Sequence, residues 1–177
     1  MKELSAGVTI SWQIAAIETG IAKYQFIEKE QIIIGICSLK KFLMSRRFKL
    51  NLNDNDIREI KSEIESIEAF LSKFKLTPTS LRREIRKKYG QGTFERTKKI
   101  VHRSEECKDY FKRAELLANK SNNAGCLHLF AAILENPEDV IKKILKERDI
   151  KPNEMQEKAL LFARISQNNN EIDSYVI

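Results

Sequence analysis

The chain has 177 residues, of which 42% are hydrophobic and 32% are charged, and its formal net charge at pH 7 is +7. These proportions suit one water-exposed domain, or two small halves that share a core. The sequence contains only six glycines and three prolines, which favours long helices over a many-stranded sheet. No run reaches the roughly 18 apolar residues of a membrane span.

Charged residues at the N-terminus and isolated cysteines both favour a cytoplasmic location. Lys2 and Glu3 interrupt the region where a signal peptide would develop its apolar run. Cys37, Cys107 and Cys126 are odd in number, far apart and form no Cys-x-x-Cys pair. We therefore expect three small buried side chains rather than a disulfide framework or a zinc site. No metal or other cofactor is predicted.

The first two predicted helices are strongly apolar. Four isoleucines form a stripe at helical spacing on the first: Ile10, Ile14, Ile17 and Ile21. The second covers residues 31–44, where an almost continuous apolar run is compatible with a central strand or a buried helix. Its length exceeds that of a normal strand, which favours the helix.

A long amphipathic helix follows a group of N-cap candidates at residues 53–56. Its apolar positions alternate by three and four: Ile57, Ile60, Ile64, Ile67, Leu71 and Phe74. This spacing predicts an amphipathic helix of about five turns. The same seam is compatible with self-pairing as a coiled coil, but its short length favours packing within the chain.

Cap and stop residues divide the remainder of the chain. Thr77-Pro78 predicts a helix start, Gly90 a helix end, and residues 90–103 a linker. Further helices are predicted from Ser104, over residues 126–134, from Asn136-Pro137 and from Lys151-Pro152. Residues 167–177 are predicted to fray.

The two halves repeat the same order of four helices. One set of residues recurs 74 positions later: Leu71, Leu76 and Pro78 correspond to Leu145, Ile150 and Pro152. The second helix of each half aligns at an offset of 97, with Gln31 against His128. The difference places about 23 extra residues in the first half, around residues 45–63. An internal duplication with two four-helix units is the resulting prediction.

Two segments carry a resemblance to a known family. Residues 24–36 (YQFIEKEQIIIGI) resemble the F-I-G-T-E-H-L-L-L-G-L segment of the N-terminal domains of Clp-family unfoldases. Residues 124–134 (AGCLHLFAAIL) retain its His-Leu core, and Ser104, Ala114 and Ala118 are similar to the family's first-helix pattern. The resemblance covers about residues 5–165, and its motifs are mostly packing signatures.

The internal duplication and the resemblance together predict an all-α fold with two repeats related by a pseudo-twofold axis. The extra residues of the first half predict an elongated third helix in the first repeat. Repeat one would cover about residues 5–90, the linker 90–103 and repeat two 104–166, within one domain. The implied function is non-catalytic binding of a protein substrate, an adaptor or a Clp-type unfoldase, with the isolated chain a monomer. The implied contact residues lie in the motif loops: Phe26, Ile27, Glu28, Glu30, Ala124 and Leu127. Core packing is the alternative role for Phe26 and Ile27.

Some members of the family bind phosphorylated arginine through paired motif glutamates. Glu30 occupies the first position here, but Leu127 replaces the second glutamate. Lys29 and Cys126 replace the motif threonines. Because leucine cannot accept a hydrogen bond from a guanidinium group, the resemblance does not extend to phosphoarginine binding at the second site.

Catalytic signatures are missing from the sequence. No Gly-x-x-x-x-Gly-Lys-Ser/Thr loop is present to hold nucleotide phosphates. The two histidines are His102, beside the linker, and His128, in the second motif, where capping or packing a helix is the expected role. No catalytic residue is predicted.

The positive charge is concentrated between Lys73 and Arg103, which contains eleven Lys or Arg but only Glu84 and Glu95. This basic segment is the alternative binding site, for nucleic acid or for an acidic protein partner. A solvated helix face is the simpler interpretation. Its candidate residues are Arg82, Arg83, Arg86, Lys87, Lys88, Arg96, Lys98 and Lys99.

Overall fold

The structure is a computed structural model that describes residues 2–45 and 51–175, excluding the side chains of residues 169–175. Within that part of the chain the regular structure is entirely α-helical, as predicted, and β pairing is limited to two isolated bridges. The helices are α1 (Ala6–Ile21), α2 (Lys29–Cys37), α3 (Leu39–Met44), α4 (Asp54–Ser72), α5 (Pro78–Tyr89), α6 (Glu105–Leu117), α7 (Cys126–Glu135), α8 (Asp139–Glu147) and α9 (Pro152–Tyr175).

The predicted cap residues begin their helices. Side-chain oxygens of Asn53, Thr77 and Ser104 each accept a hydrogen bond from the backbone N–H three residues later, at 2.8, 3.0 and 3.0 Å. Each bond satisfies a donor that the helix itself leaves unpaired. Gly90 ends α5 with φ of +71°, a left-handed conformation that glycine adopts without strain.

Three helix boundaries differ from the predictions. The run over residues 31–44 is helical but divides at Ser38, whose hydroxyl donates to the Ile34 carbonyl at 2.6 Å. Helix α8 begins at Asp139 rather than at Pro137. Helix α9 is assigned as far as Tyr175, beyond residue 167 where the predicted tail begins, and the Ser62 and Ser166 hydroxyls, 3.1 Å apart, join it to α4. Residues 176–177, and residues 46–50 of the predicted insertion, lie outside the described residues.

The isoleucine stripe does not define the inner face of α1. Ile17 and Ile21 are 47% and 68% exposed, so this part of the prediction is wrong. The small residues Ser11, Ala15 and Thr19 are buried instead. They let α1 approach α2 so closely that a Cβ added to Gly35 would overlap the Ser11 carbonyl.

Helices α2 and α7 form the centre of the core, since each has buried residues around nearly its whole circumference. Helix α1 packs on α2 and α6 on α7, while α5 and α9 cover them from the other side. The α4 seam packs within the chain as expected, because Ile60, Ile67 and Leu71 are buried in this core. Helix α4 has 19 residues and α8 has 9.

The two isolated parallel bridges join distant parts of the chain. Ala124, before α7, accepts from Ser5 N and donates to the Glu3 carbonyl, both at 2.9 Å. Ile27, before α2, donates to the His102 carbonyl at 2.9 Å and accepts from Ser104 N at 3.1 Å. The residues before α1 are therefore hydrogen-bonded to the loop before α7. In the same way, the residues before α6 are hydrogen-bonded to the loop before α2.

Candidate functional site

The first motif loop has one exposed apolar side chain. Phe26 is 41% exposed, whereas the neighbouring Ile27 side chain is fully buried. Glu28 is partly buried, and its Oε2 accepts a hydrogen bond from Ser104 Oγ at 2.7 Å. Of these three predicted contact residues, Phe26 alone has an exposed side chain.

Glu30 is directed into the protein. Its carboxylate is buried and lies 3.5 Å from the ammonium group of Lys29, which is also buried. Burial raises the pKa of Glu30, and Lys29 opposes that shift. The predicted contact role would therefore require this buried pair to open.

The second motif loop contributes backbone rather than side chains. Ala124 and Leu127 are both buried, and the backbone of Ala124 forms the bridge to Ser5. His128 Nδ1 accepts a hydrogen bond from Gly125 N at 3.0 Å, which confirms the capping role expected for this histidine. Burial lowers the pKa of His128 to about 4, so the ring is neutral at pH 7.

A partly buried glutamate that the sequence did not reveal lies beside the second motif. Glu63, on α4, accepts from Ser5 Oγ at 2.8 Å and from Cys126 N at 3.0 Å. Desolvation raises its pKa to about 7. Gly125 stands where the first motif has Glu28, but this difference does not identify Glu63 as the residue that contacts it.

Arg82 does not belong to an exposed basic face, contrary to the prediction. It lies three residues before the buried Ile85, which places both on the inward side of α5. Its side chain is 9% exposed. Neighbouring cations on the same helix remain at the surface.

Ion pairs and backbone contacts occupy much of the basic segment. Arg86 binds both carboxylate oxygens of Glu18, at 2.7 and 3.0 Å, and Lys88 lies 2.8 Å from Glu147. Arg96 donates to the carbonyls of Tyr24 and Gln25. Within the described part of the chain, four of the candidates are exposed and form no ion pair: Arg83, Lys87, Lys98 and Lys99.

The linker lies against the chain that follows α1. Gly92 N donates to the Ala22 carbonyl at 2.8 Å, and Phe94 N donates to the Lys23 carbonyl at 2.9 Å. Four large apolar side chains on these two segments or at the end of α1 are exposed; we call them the linker patch: Ile21, Phe26, Phe94 and Ile100. Exposed apolar side chains on neighbouring segments are candidates for a protein-binding surface.

A scan against protein-family models finds no match to this chain, and a search of curated proteins finds no matching relative. Within residues 2–45 and 51–175, no helix combines the length and apolar character needed to cross a bilayer. The same residues contain no group of three His, Cys, Asp or Glu side chains placed to hold a metal ion.

Proposed function

We propose that the chain is a divergent double-repeat module of the Clp N-terminal kind, which binds protein segments without catalysis. Its repeats would be α1, α2, α4 and α5 on one side and α6 to α9 on the other, related by a pseudo-twofold axis. The reciprocal bridges support this arrangement. Ser5 and Ser104 occupy equivalent positions in them, as do Ala124 and Ile27.

Capping side chains support the same correspondence. Gln31 Oε1 accepts from Glu28 N at 2.9 Å, and His128 Nδ1 accepts from Gly125 N at 3.0 Å. In each bond, the side chain of the third residue of the helix accepts from the backbone N–H of the residue that precedes the helix. Helix packing agrees as well, because α4 packs on α9 while α8, its proposed equivalent, packs on α5.

The linker patch is the observation that carries the binding function. It presents exposed side chains of Ile21, Phe26 and Phe94 on two segments that are joined by backbone hydrogen bonds. A surface of this kind suits an unfolded apolar segment, an adaptor or an unfoldase subunit, the partners that the family resemblance implies. Phe26 is also a motif residue, which connects the patch to the resemblance.

Titration of fluorescein-labelled casein, followed by anisotropy, tests this proposal. We expect saturable binding by the full chain, weakened by Phe26→Ser and by Phe94→Ser. Leu116→Ser is the control, because Leu116 is an apolar side chain on α6 that is even more exposed than Phe26 and lies outside the patch. Equal loss in the control, or no binding to casein and to a Clp-type unfoldase, would contradict the proposal.

A further inference from the structure

A groove runs between α2–α3 and α4–α5, on a different part of the surface from the linker patch. Its volume is about 640 Å³, which is within the range of sites that hold small ligands or short peptide segments. Ile36, Ile67 and Leu76 form an apolar floor, and Met44, 77% exposed, stands at the mouth.

Arg82 lines this groove with an incompletely paired guanidinium group. Its Nη1 donates to Ser38 Oγ at 3.3 Å, and its buried Nε has no hydrogen-bond partner in the described part of the chain. Glu18 is a nearby carboxylate but binds Arg86 through both of its oxygens. A buried cation without a counter-ion is costly, so Arg82 would gain from an anionic ligand.

The other charged groups around the groove leave an excess of positive charge. Lys40 is paired with Glu68 at 2.9 Å, and Lys41 adds a cation that forms no ion pair with the described residues. Cys37 is buried with its pKa raised to about 12, so its neutral thiol does not balance Arg82. Desolvation by burial lowers the pKa of Arg82, and the positive charge of the nearby Arg86 lowers it further.

We propose that this groove binds an aliphatic peptide segment that carries an acidic side chain, whose carboxylate pairs with the guanidinium group of Arg82. The apolar side chains of the segment lie on Ile36, Ile67 and Leu76. This inference rests on the proposed protein-binding function, and it assigns a ligand chemistry to a surface that the linker patch does not include.

Charge and shape both favour this occupant. A carboxylate supplies the counter-ion that Arg82 lacks, and charge-assisted hydrogen bonds are among the stronger polar contacts. The apolar floor favours aliphatic side chains over a simple anion. A second copy of this chain is less complementary to the cationic rim, since its net charge is +7.

The test uses two labelled aliphatic heptapeptides that are identical except for a central Glu or Gln. In anisotropy titrations with the full chain, the Glu peptide should bind about tenfold more tightly, the usual effect of one buried charged hydrogen bond. Arg82→Gln should abolish this preference. Arg83→Gln should keep it, because Arg83 is exposed on the same helix and does not line the groove.

Met44→Glu provides a second variant that leaves the buried residues unchanged. The added carboxylate at the groove mouth should weaken binding of the Glu peptide several-fold more than binding of the Gln peptide. Equal affinities for the two peptides, equal effects of Arg82→Gln and Arg83→Gln, or no effect of Met44→Glu would each overturn the proposal. Casein binding that depends on Phe26 would survive these results, so the two proposals fail separately.

Discussion

The carboxylate of Glu63 occupies the space next to Gly125 that a side chain there would need. A Cβ built on Gly125 would lie 2.6 Å from Glu63 Oε1, and one built on Gly7 would overlap Oε2. Because both residues are glycine, the carboxylate reaches Ser5 and the first backbone N–H of α7. One side chain from α4 therefore joins the beginnings of α1 and α7.

Glu63→Gln should change how stability depends on pH. The folded state holds the Glu63 proton up to about pH 7, compared with the ordinary 4.5, because burial disfavours the carboxylate. The contribution of Glu63 to the free energy of unfolding is therefore fully present below pH 4.5. It is lost as the pH rises toward 7, because the unfolded chain releases this proton first. The Gln variant should therefore gain stability relative to the native chain over this range.

Urea denaturation at the two ends of that pH range measures the difference. Glu65→Gln is the control, since Glu65 is exposed on the same helix. Glu59 also faces this site, where it accepts from Ala6 N and Asn123 Nδ2, and it is present in both variants. A Glu63→Gln effect that is independent of pH would contradict the assigned cause.

His128 should have the opposite pH dependence. Its pKa falls from 6.5 to about 4 on burial, so the neutral ring stabilises the fold fully above pH 6.5 and loses this contribution as the pH falls toward 4. His128→Gln should keep the cap, as Gln31 does in the first motif, and should remove this acid sensitivity. His128→Leu should lose about 1 kcal/mol at neutral pH with the cap. Thermal unfolding of the three proteins from pH 4 to 7 distinguishes these effects.

Two glycine-to-alanine substitutions should change stability in opposite directions. Gly35→Ala would place a methyl group against the Ser11 backbone, and the resulting separation of α1 from α2 should cost about 1–3 kcal/mol. Gly20→Ala meets nothing within 4 Å and should add about 0.5–1 kcal/mol through helix propensity. Equal free energies of unfolding for the two variants would show that the helices are less closely packed than described.

Arg103 stacks on aromatic rings that connect α1 with α6. Its guanidinium carbon lies 3.8 Å from the ring centre of Trp12 and 4.4 Å from that of Phe111. Arg103→Ala should lower the free energy of unfolding by about 0.5–2 kcal/mol. Arg103→Lys should restore only part of that loss, because lysine lacks the planar guanidinium group that stacks on the rings. Trp12 is the single tryptophan, so its emission reports the change directly. The exposed Lys99→Ala should leave both the emission and the stability unchanged.

Local sequence signals predicted the helices well but did not predict their environments. Thr77 and Ser104 cap helices through bonds to residues three positions away, and such short-range chemistry can be recognised in a sequence. Ile17 and Arg82 were assigned to the wrong surfaces because their burial depends on which helix packs beside them. Helical periodicity identifies a face but does not specify the neighbour that covers it.

The candidate site shows the same distinction. The motif loops were found from sequence, and Phe26 is exposed there, but the inward orientation of Glu30 depends on its tertiary surroundings. Glu63 contacts residues that are distant in sequence on both sides, Ser5 and Cys126, so no local pattern marks it. The groove at Arg82 likewise requires four helix segments to meet.

The reciprocal bridges have a consequence for cleavage of the chain. A protease cut at the exposed Lys98 or Lys99 would sever the linker without breaking the hydrogen bonds between Ser5 and Ala124 or between Ile27 and Ser104. The packing of α4 on α9 and of α5 on α8 would also remain. The two fragments should therefore stay associated and elute together under native conditions. Either fragment expressed alone would expose the helix beginnings and core surfaces that the other normally covers.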